Sequence, residues 1–232
     1  MPTITWKIKS RIETFVNKSK LFDTLLQTFL HKISKDNIFF IEIGANDGIE
    51  NDLIYDFVIK YNWSGIYIEP QKEVFKKLIQ NFEGKNNLYF ENIAIVNSEE
   101  KDLTLFVPKD SSIKNFTGIA SISRQGGVLN RFSDNDLDKE IVKAKPFTYL
   151  IEKYNLENKK NLFVIIDVEG LEKNIIYSID FNRVQPKYLM FEHAHLTYDS
   201  HREINGYLSN LGYKIYLDKF DTFAYLSKYI SK

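Results

Sequence analysis

The stretch "FFIEIGANDGIEND", residues 39–52, decides the fold. It opens on Phe39-Phe40-Ile41, runs through Glu42 and breaks at two glycines, Gly44 and Gly48. A short apolar run bounded by glycine reads as a buried strand entering a turn. The turn is G-x-x-x-G. It lacks the middle glycine of G-x-G-x-x-G, the residue that lets a pyrophosphate press onto the backbone. A wider turn passes instead under an amino-acid moiety. The next strand, "GIYIEP", ends on Glu69, 25 residues after Gly44, and is stopped by Pro70. An acid at that place accepts two hydrogen bonds from ribose hydroxyls. A glycine turn and a second-strand acid, without a phosphate motif, favour a nucleoside ligand over a dinucleotide.

Outward from this stretch, strands and helices alternate. "NDLIYDFVIKY" reads as a helix, and "QKEVFKKLIQNF" as a second one stopped at Gly84. "NLYFENIAIV" is a third strand and "DLTLFVP" a short fourth. After residue 138 come the helix "TYLIEKYN", the buried strand "NLFVIIDVEG", the helix "EKNIIYSI", the strand "KYLMFEH" and the helix "HREINGYLSNLG". "YKIYLDK" and "TFAYLSKY" close the chain as an antiparallel pair. Alternation of this kind implies a mostly parallel sheet with helices on both faces, and ligands at the carboxyl ends of its strands. Glu42, Glu69, Asp167 and Glu192 stand at such ends. Burying an unpaired carboxylate is costly, so four in one row point to a shared polar cleft.

Residues 108–138 carry no sustained period and are rich in Ser, Asp, Asn, Gly and Lys. A connection this long in a compact domain is usually functional, and it is expected to be a lid or a substrate-facing loop. Within it, "GIASISRQGG" offers Ser121, Ser123 and Arg124 as substrate-binding residues. Residues 4–35 read as helical, with Ile8, Ile12, Phe15, Phe22, Leu25, Phe29 and Ile33 on one face and many lysines elsewhere. The expected organisation is an N-terminal helical extension, 1–36, and one α/β domain, 37–232. The basic face leaves peripheral contact with an anionic membrane open, and self-association is open too.

Composition narrows the chemistry. The chain has 31 basic and 31 acidic residues, so its formal net charge is zero, which removes the simplest argument for nucleic acid as a partner. It has no cysteine, so disulfides and thiolate chemistry are out. No long apolar run or signal-peptide pattern is read, and a soluble, cytoplasmic protein is the expectation.

"FIEIGANDGIEND", "NWSGIYIEP", "NIAIV", "VIIDVEGLE" and "LMFEH" follow one another as in the FkbM family of S-adenosylmethionine-dependent methyltransferases, which the chain resembles from about residue 38 to 227. "WSGIYIEP" and "DVEGLE" are the most specific parts. The resemblance implies a class I methyltransferase fold: a Rossmann-like three-layer α/β/α sandwich whose seven-stranded, mostly parallel sheet has an antiparallel last strand. It further implies that Glu42, Gly44, Ala45, Asn46 and Gly48 line the methionine part of the cofactor and that Glu69, followed by Pro70, holds the ribose. Asn92, Ile93 and Ala94 would lie near adenine, and Asp167 would face the cofactor's amino group or the acceptor.

A sulfonium methyl is already electrophilic, so the enzyme must align an acceptor atom and remove its proton. Family members typically act on hydroxyls of sugars or natural products, and a weakly acidic alcohol calls for a base or a metal. Asp167, Glu169 and His193 are the expected catalytic residues. Asp167, Glu192 and His193 end what should be neighbouring strands, where they could share a divalent cation such as magnesium or manganese; alternatively His193 is a metal-free base. Glu172, His195 and His201 are further candidates in the same two segments; alternatively Glu172 is an acid favouring a helix start, and His195 and His201 are loop or helix-surface residues. The expected function is therefore O-methylation of a saccharide precursor or other small molecule. Nucleic-acid methylation and a non-catalytic scaffold are the alternatives.

Overall fold

The computed structural model describes residues 28–50, 52–97, 101–109, 120–122, 129, 132–218 and 220–226. The chain separates into two compact units, Met1–Asp36 and Asn37–Lys232. In the first, residues 28–33 are helical, and the end is closed where Asp36 N–H donates to the Ile33 carbonyl at 2.9 Å and Ser34 Oγ to that of His31 at 2.8 Å. The rest of the expected helical extension, and most of its basic face, lies outside the described residues.

The second unit holds β1 (Phe39–Ile43), α1 (Tyr55–Tyr61), β2 (Ser64–Ile68), α2 (Lys72–Asn81), β3 (Leu88–Glu91), β4 (Ala94–Val96), β5 (Lys101–Pro108) and β6 (Leu137–Pro146). It continues with α3 (Phe147–Tyr154), β7 (Leu162–Ile166), α4 (Glu172–Ser178), β8 (Tyr188–Glu192), α5 (Tyr198–Asn210), β9 (Tyr213–Leu217) and β10 (Asp221–Leu226). Seven strands form one sheet in the order β3-β2-β1-β7-β8-β10-β9. Only β10 runs against its neighbours, β8 and β9. This is the class I order that the resemblance implies.

Both faces of the sheet are dry, which is why β1 is apolar almost throughout. Its side chains alternate. Phe39, Ile41 and Ile43 join a core with Phe147, Leu150 and Ile151 of α3, Ile175 and Ile176 of α4, and Ile204 and Leu208 of α5. Phe40 points the other way, into the edge of the Tyr67 ring at 4.8 Å. On that face Phe57 of α1 meets Trp63, and Phe82, after α2, stacks on Tyr67 at 4.8 Å. Strand order reverses between β1, which leads to β2, and β7, which leads to β8, and this switch point is where the polar strand ends gather.

Three expectations are corrected. "NLYFENIAIV" is two strands: β3 stays in the large sheet, while β4 leaves it for a separate three-stranded sheet, β4-β6-β5. The middle strand of that sheet, β6, was not expected, because charged side chains dominate it and Ile141 faces out at 67% exposure, while Val142 and Ala144 face a small core with Ala94, Val96 and Leu105. The connection expected to be irregular to residue 138 is partly ordered, since Ser121 and Phe106 exchange backbone hydrogen bonds at 2.9 and 3.2 Å. Finally, α1 starts at Tyr55 rather than near Asn51; before it, Asp52 Oδ1 accepts from Ile54 N–H at 2.7 Å and Tyr55 N–H at 3.1 Å and holds the chain in a turn.

Gly65 pairs with Phe40 across β1 and β2, and a Cβ on Gly65 would fall inside the Phe40 ring. Gly65→Ala is therefore expected to lower unfolding stability by about 1–3 kcal/mol through overpacking. Urea denaturation measures this; an unchanged midpoint would refute it.

Candidate functional site

A cavity of about 300 Å³ opens at the switch point. The ends of β1, β2 and β7 give it Glu42, Ile43, Ile68, Glu69 and Asp167, and the turn after β1 gives Gly44, Ala45 and Asn46. The small sheet adds an apolar wall of Ile93, Ala94, Ile95 and Leu105, with Ala120, Ser121 and Ile122 beside it. Ser121 is thus at the cavity; Ser123 and Arg124 lie outside the described residues.

The turn is built by contact rather than by flexibility. Gly44 has φ +88°, and a Cβ there would overlap the Asp167 carbonyl oxygen. Gly44 and Ala45 N–H both donate to the Ile68 carbonyl at 3.0 Å. Gly48 does not border the cavity; a Cβ on it would strike Phe82 and Leu78. Its glycine is needed for packing.

Glu69 is held from three sides. Its Oε2 accepts from Asn46 N–H at 3.0 Å and its Oε1 from Gln71 N–H at 2.7 Å. Its own N–H donates to the Glu91 carbonyl at 3.1 Å. Asn92 Nδ2 donates to the carbonyls of Glu69 (2.8 Å) and Pro70 (2.9 Å). Asn92 does not itself border the cavity, unlike Ile93 and Ala94; it positions the acid instead. The Glu91 carboxylate, buried beneath, accepts from Lys153, Tyr149 and Tyr154 and ties this corner to α3.

The electrostatics of the cavity are unusual because so many acids share it. Glu42 is buried, its Oε2 makes no hydrogen bond, and burial, reinforced by the charges of Asp52 and Asp167, raises its pKa well above the ordinary range. Burial pushes Asp52 up to about 7. Glu69 rises to about 8, again by burial, against the pull of its two backbone donors. Asp167 is exposed at the cavity wall, yet enough protein surrounds it that desolvation lifts it to about 6.

Beyond Asp167 the chain bends through Glu169, which borders the cavity in the left-handed conformation, φ +58°. A bulky non-glycine residue rarely adopts it, and such outliers gather at functional sites. Glu169 Oε2 lies 3.3 Å and Glu192 Oε2 3.7 Å from His195 Nε2. His193 does not join them. Its Nδ1 lies 3.0 Å from Thr222 Oγ1, and its ring stacks on His201 at 4.2 Å. Successive residues at a strand end point to opposite sides, so Glu192 and His193 cannot both face Asp167. His193 thus stands apart from the acid row, and His195 lies within it. Glu172 starts α4, as expected, and is fully buried.

The folded state holds protons on Glu42, Asp52 and Glu69 that the unfolded chain has released. For acids whose pKa is raised on folding, the stabilising contribution is full below the unfolded values, 3.8 for Asp and 4.5 for Glu, and is lost as pH rises to about 7–8. Stability of the ligand-free protein should therefore fall from pH 5 to pH 8. Glu42→Gln should stabilise it more at pH 8 than at pH 5. Denaturant midpoints at the two pH values test this, and an equal effect of the substitution at both would count against it.

No curated protein matches the sequence. Among solved structures, methyltransferase FkbM from Methylobacillus flagellatus KT is similar at 16% identity and TM-score 0.49, over 82% of this chain and 43% of that one; this chain thus spans less than half of that relative. The methyltransferase domain of METTL16 is similar at 11% identity and TM-score 0.48, over 90% of this chain and 68% of that one. An rRNA methylase from Streptococcus thermophilus is similar at 10% identity and TM-score 0.44, over 86% and 92%. The family model of the methyltransferase FkbM domain matches residues 42–215. That match takes in the glycine turn, the Glu69 corner and the acid row, covers well over half of the sequence, and makes this chain a member of the FkbM methyltransferase family.

Proposed function

We propose that the cavity takes S-adenosylmethionine and that the protein transfers its methyl group to a hydroxyl oxygen of a sugar or polysaccharide precursor, or of another small molecule. The observation that carries this reading is Glu69. It is a buried carboxylate whose two oxygens are aimed by backbone N–H groups at the rim of a cavity beside a glycine turn. Each oxygen keeps a lone pair for a ribose hydroxyl. The residues present fit the rest of the cofactor: an apolar wall, Ile93, Ala94 and Ile95, for a flat ring, and the unpartnered Glu42 Oε2 for an amino group.

When bound, the cofactor supplies an electrophilic methyl on a positive sulfur. The chain's own residues do the rest. Asp167 and Glu169, both at the cavity, are placed to take the acceptor's hydroxyl proton as the oxygen bonds to the methyl carbon and the carbon–sulfur bond breaks. A carboxylate at a pKa of about 6 is a better base than a free aspartate and remains ionised at neutral pH. A divalent cation beside Asp167 would lower the hydroxyl's own pKa. Ala120, Ser121 and Ile122 border the space left for the acceptor. The balanced formal charge supports a small acceptor over a phosphate backbone.

Calorimetry with S-adenosylhomocysteine tests the cofactor. Saturable binding is expected, and Glu69→Ala should weaken it about 100-fold, the value of two hydrogen bonds. Absence of binding to the wild-type protein would defeat the reading. Asp167→Asn should leave that binding within a few-fold while lowering methyl transfer to a hydroxylated acceptor by about 10²–10⁴-fold. Equal losses in both would make Asp167 a cofactor ligand and not a base.

A further inference from the structure

The far end of the acid row has more carboxylates than holding a methyl donor requires. One carboxylate oxygen each from Asp167, Glu172 and Glu192 lies within 4.8 Å of the others, and Glu169, Glu192 and His195 form a second such group that shares Glu192. Oxygens bound to one divalent ion at about 2.0–2.6 Å stand up to about 4–5 Å apart across it. The spacing is that of a coordination shell. It is poor for bare anions, which repel at this range.

A cluster of acids does not by itself make a site, and Glu172 supplies the independent observation. It is 0% exposed. Its Oε1 accepts from Val168 N–H and Gly170 N–H, both at 3.1 Å, which locks the carboxylate in place. Its Oε2 is buried and makes no hydrogen bond. A carboxylate oxygen held dry and unsatisfied is costly unless a cation or a proton meets it. Glu192 Oε2 is likewise buried without a hydrogen bond. Among the described residues, no lysine or arginine forms an ion pair with Asp167, Glu172 or Glu192. The helix that follows is anchored by the same Glu172, so the oxygen is fixed on a rigid element.

We propose that Asp167, Glu172 and Glu192 bind one divalent cation of the magnesium–manganese class, with Glu169 and His195 at its flank. An all-carboxylate set selects hard cations, and the neighbouring imidazole tolerates manganese better than calcium. The set differs from the one expected from sequence: His193 is lost to Thr222, and Glu172 takes its place. Asp167 borders the cavity and Glu172 and Glu192 do not, so an ion shared by the three would sit at the edge of the cavity. Binding itself does not depend on the methyl-transfer reading; only the ion's use in activating an acceptor rests on it.

The test is manganese binding to the cofactor-free protein, by calorimetry and by the loss of the free-ion electron paramagnetic resonance signal. One saturable site and a raised melting temperature are expected. Glu192→Gln and Glu172→Gln should each weaken binding at least about tenfold. Glu172→Gln keeps an oxygen that can accept from Val168 and Gly170, so its fold is preserved, and a thermal melt of each variant without metal confirms it. Glu152→Gln, in a surface pair with Arg183, should bind as the wild type does. No saturable binding below about 10 mM manganese, well past the weakest protein sites, or binding unchanged in both cluster variants, would overturn the proposal. S-adenosylhomocysteine binding, measured without metal, is a separate readout, so failure of one reading does not imply failure of the other.

Discussion

Where β1 ends, the Gly44 backbone lies so close to the Asp167 carbonyl that no side chain fits between them. Asp167 N–H donates back to the Ile43 carbonyl at 2.9 Å, and Gly44 and Ala45 donate to Ile68 on the other side. Three strand ends are thereby fastened at one point, the central strand to both neighbours. The rest of the site follows from this. The turn must leave β1 in a left-handed conformation, Asn46 N–H is delivered to Glu69, and the Asp167 side chain is held beside the turn. A larger residue at 44 would part β1 from β7 and move the ribose acid and the acid row away from each other.

The same closeness creates the electrostatic character of the cavity. Glu42, Asp52, Glu69 and Asp167 all carry pKa values raised by desolvation. Burial of several like charges opposes folding, and the apolar faces of the sheet must offset it. Two devices limit the cost. Backbone N–H groups point at Glu69, Asp52 and Glu172, and glutamate 91, where the structure has no need of an open carboxylate, is closed off by Lys153 and two tyrosines. Glu42, Glu172 and Glu192 keep an oxygen that makes no hydrogen bond.

Much of this was legible in the sequence. The strand–helix alternation carried the parallel character of the large sheet, because buried parallel strands need apolar runs and their helices need stripes. Glu69 was legible because an acid between an apolar strand and a proline has few structural reasons to be there. The second sheet was not. β6 places charged residues at half of its positions, so its buried residues, Leu137, Val142 and Ala144, carry no sustained period. The break between β3 and β4 was hidden because Asn92 and Ile93 interrupt an otherwise continuous strand pattern, and only the hydrogen bonds of Asn92 to Glu69 and Pro70 reveal the corner. His193 and His195 could not be told apart by type or spacing. The face each takes depends on where β8 stops, and element ends are the least certain part of a sequence reading. Glu172 looked like a helix-start acid, and it is one, but burial comes from tertiary packing that no local pattern records.

The two sheets divide the work of the cavity. The large sheet brings nearly all the charge, through strand ends whose geometry is set by hydrogen-bonded register. The small sheet brings Ala94, Ile95 and Leu105, which are apolar, and carries residues 120–122 alongside through the Phe106–Ser121 bridge. A carboxylate's pKa depends on how much water reaches it, so this apolar wall is what keeps Glu42 and Glu69 in their raised state as much as their own strands do. It follows that changes in the small sheet act on the acids by admitting or excluding water, and at Glu69 also through the charge of Glu140 on β6. The large sheet sets where the buried acids stand, and the apolar wall of the small sheet helps set how strongly they act.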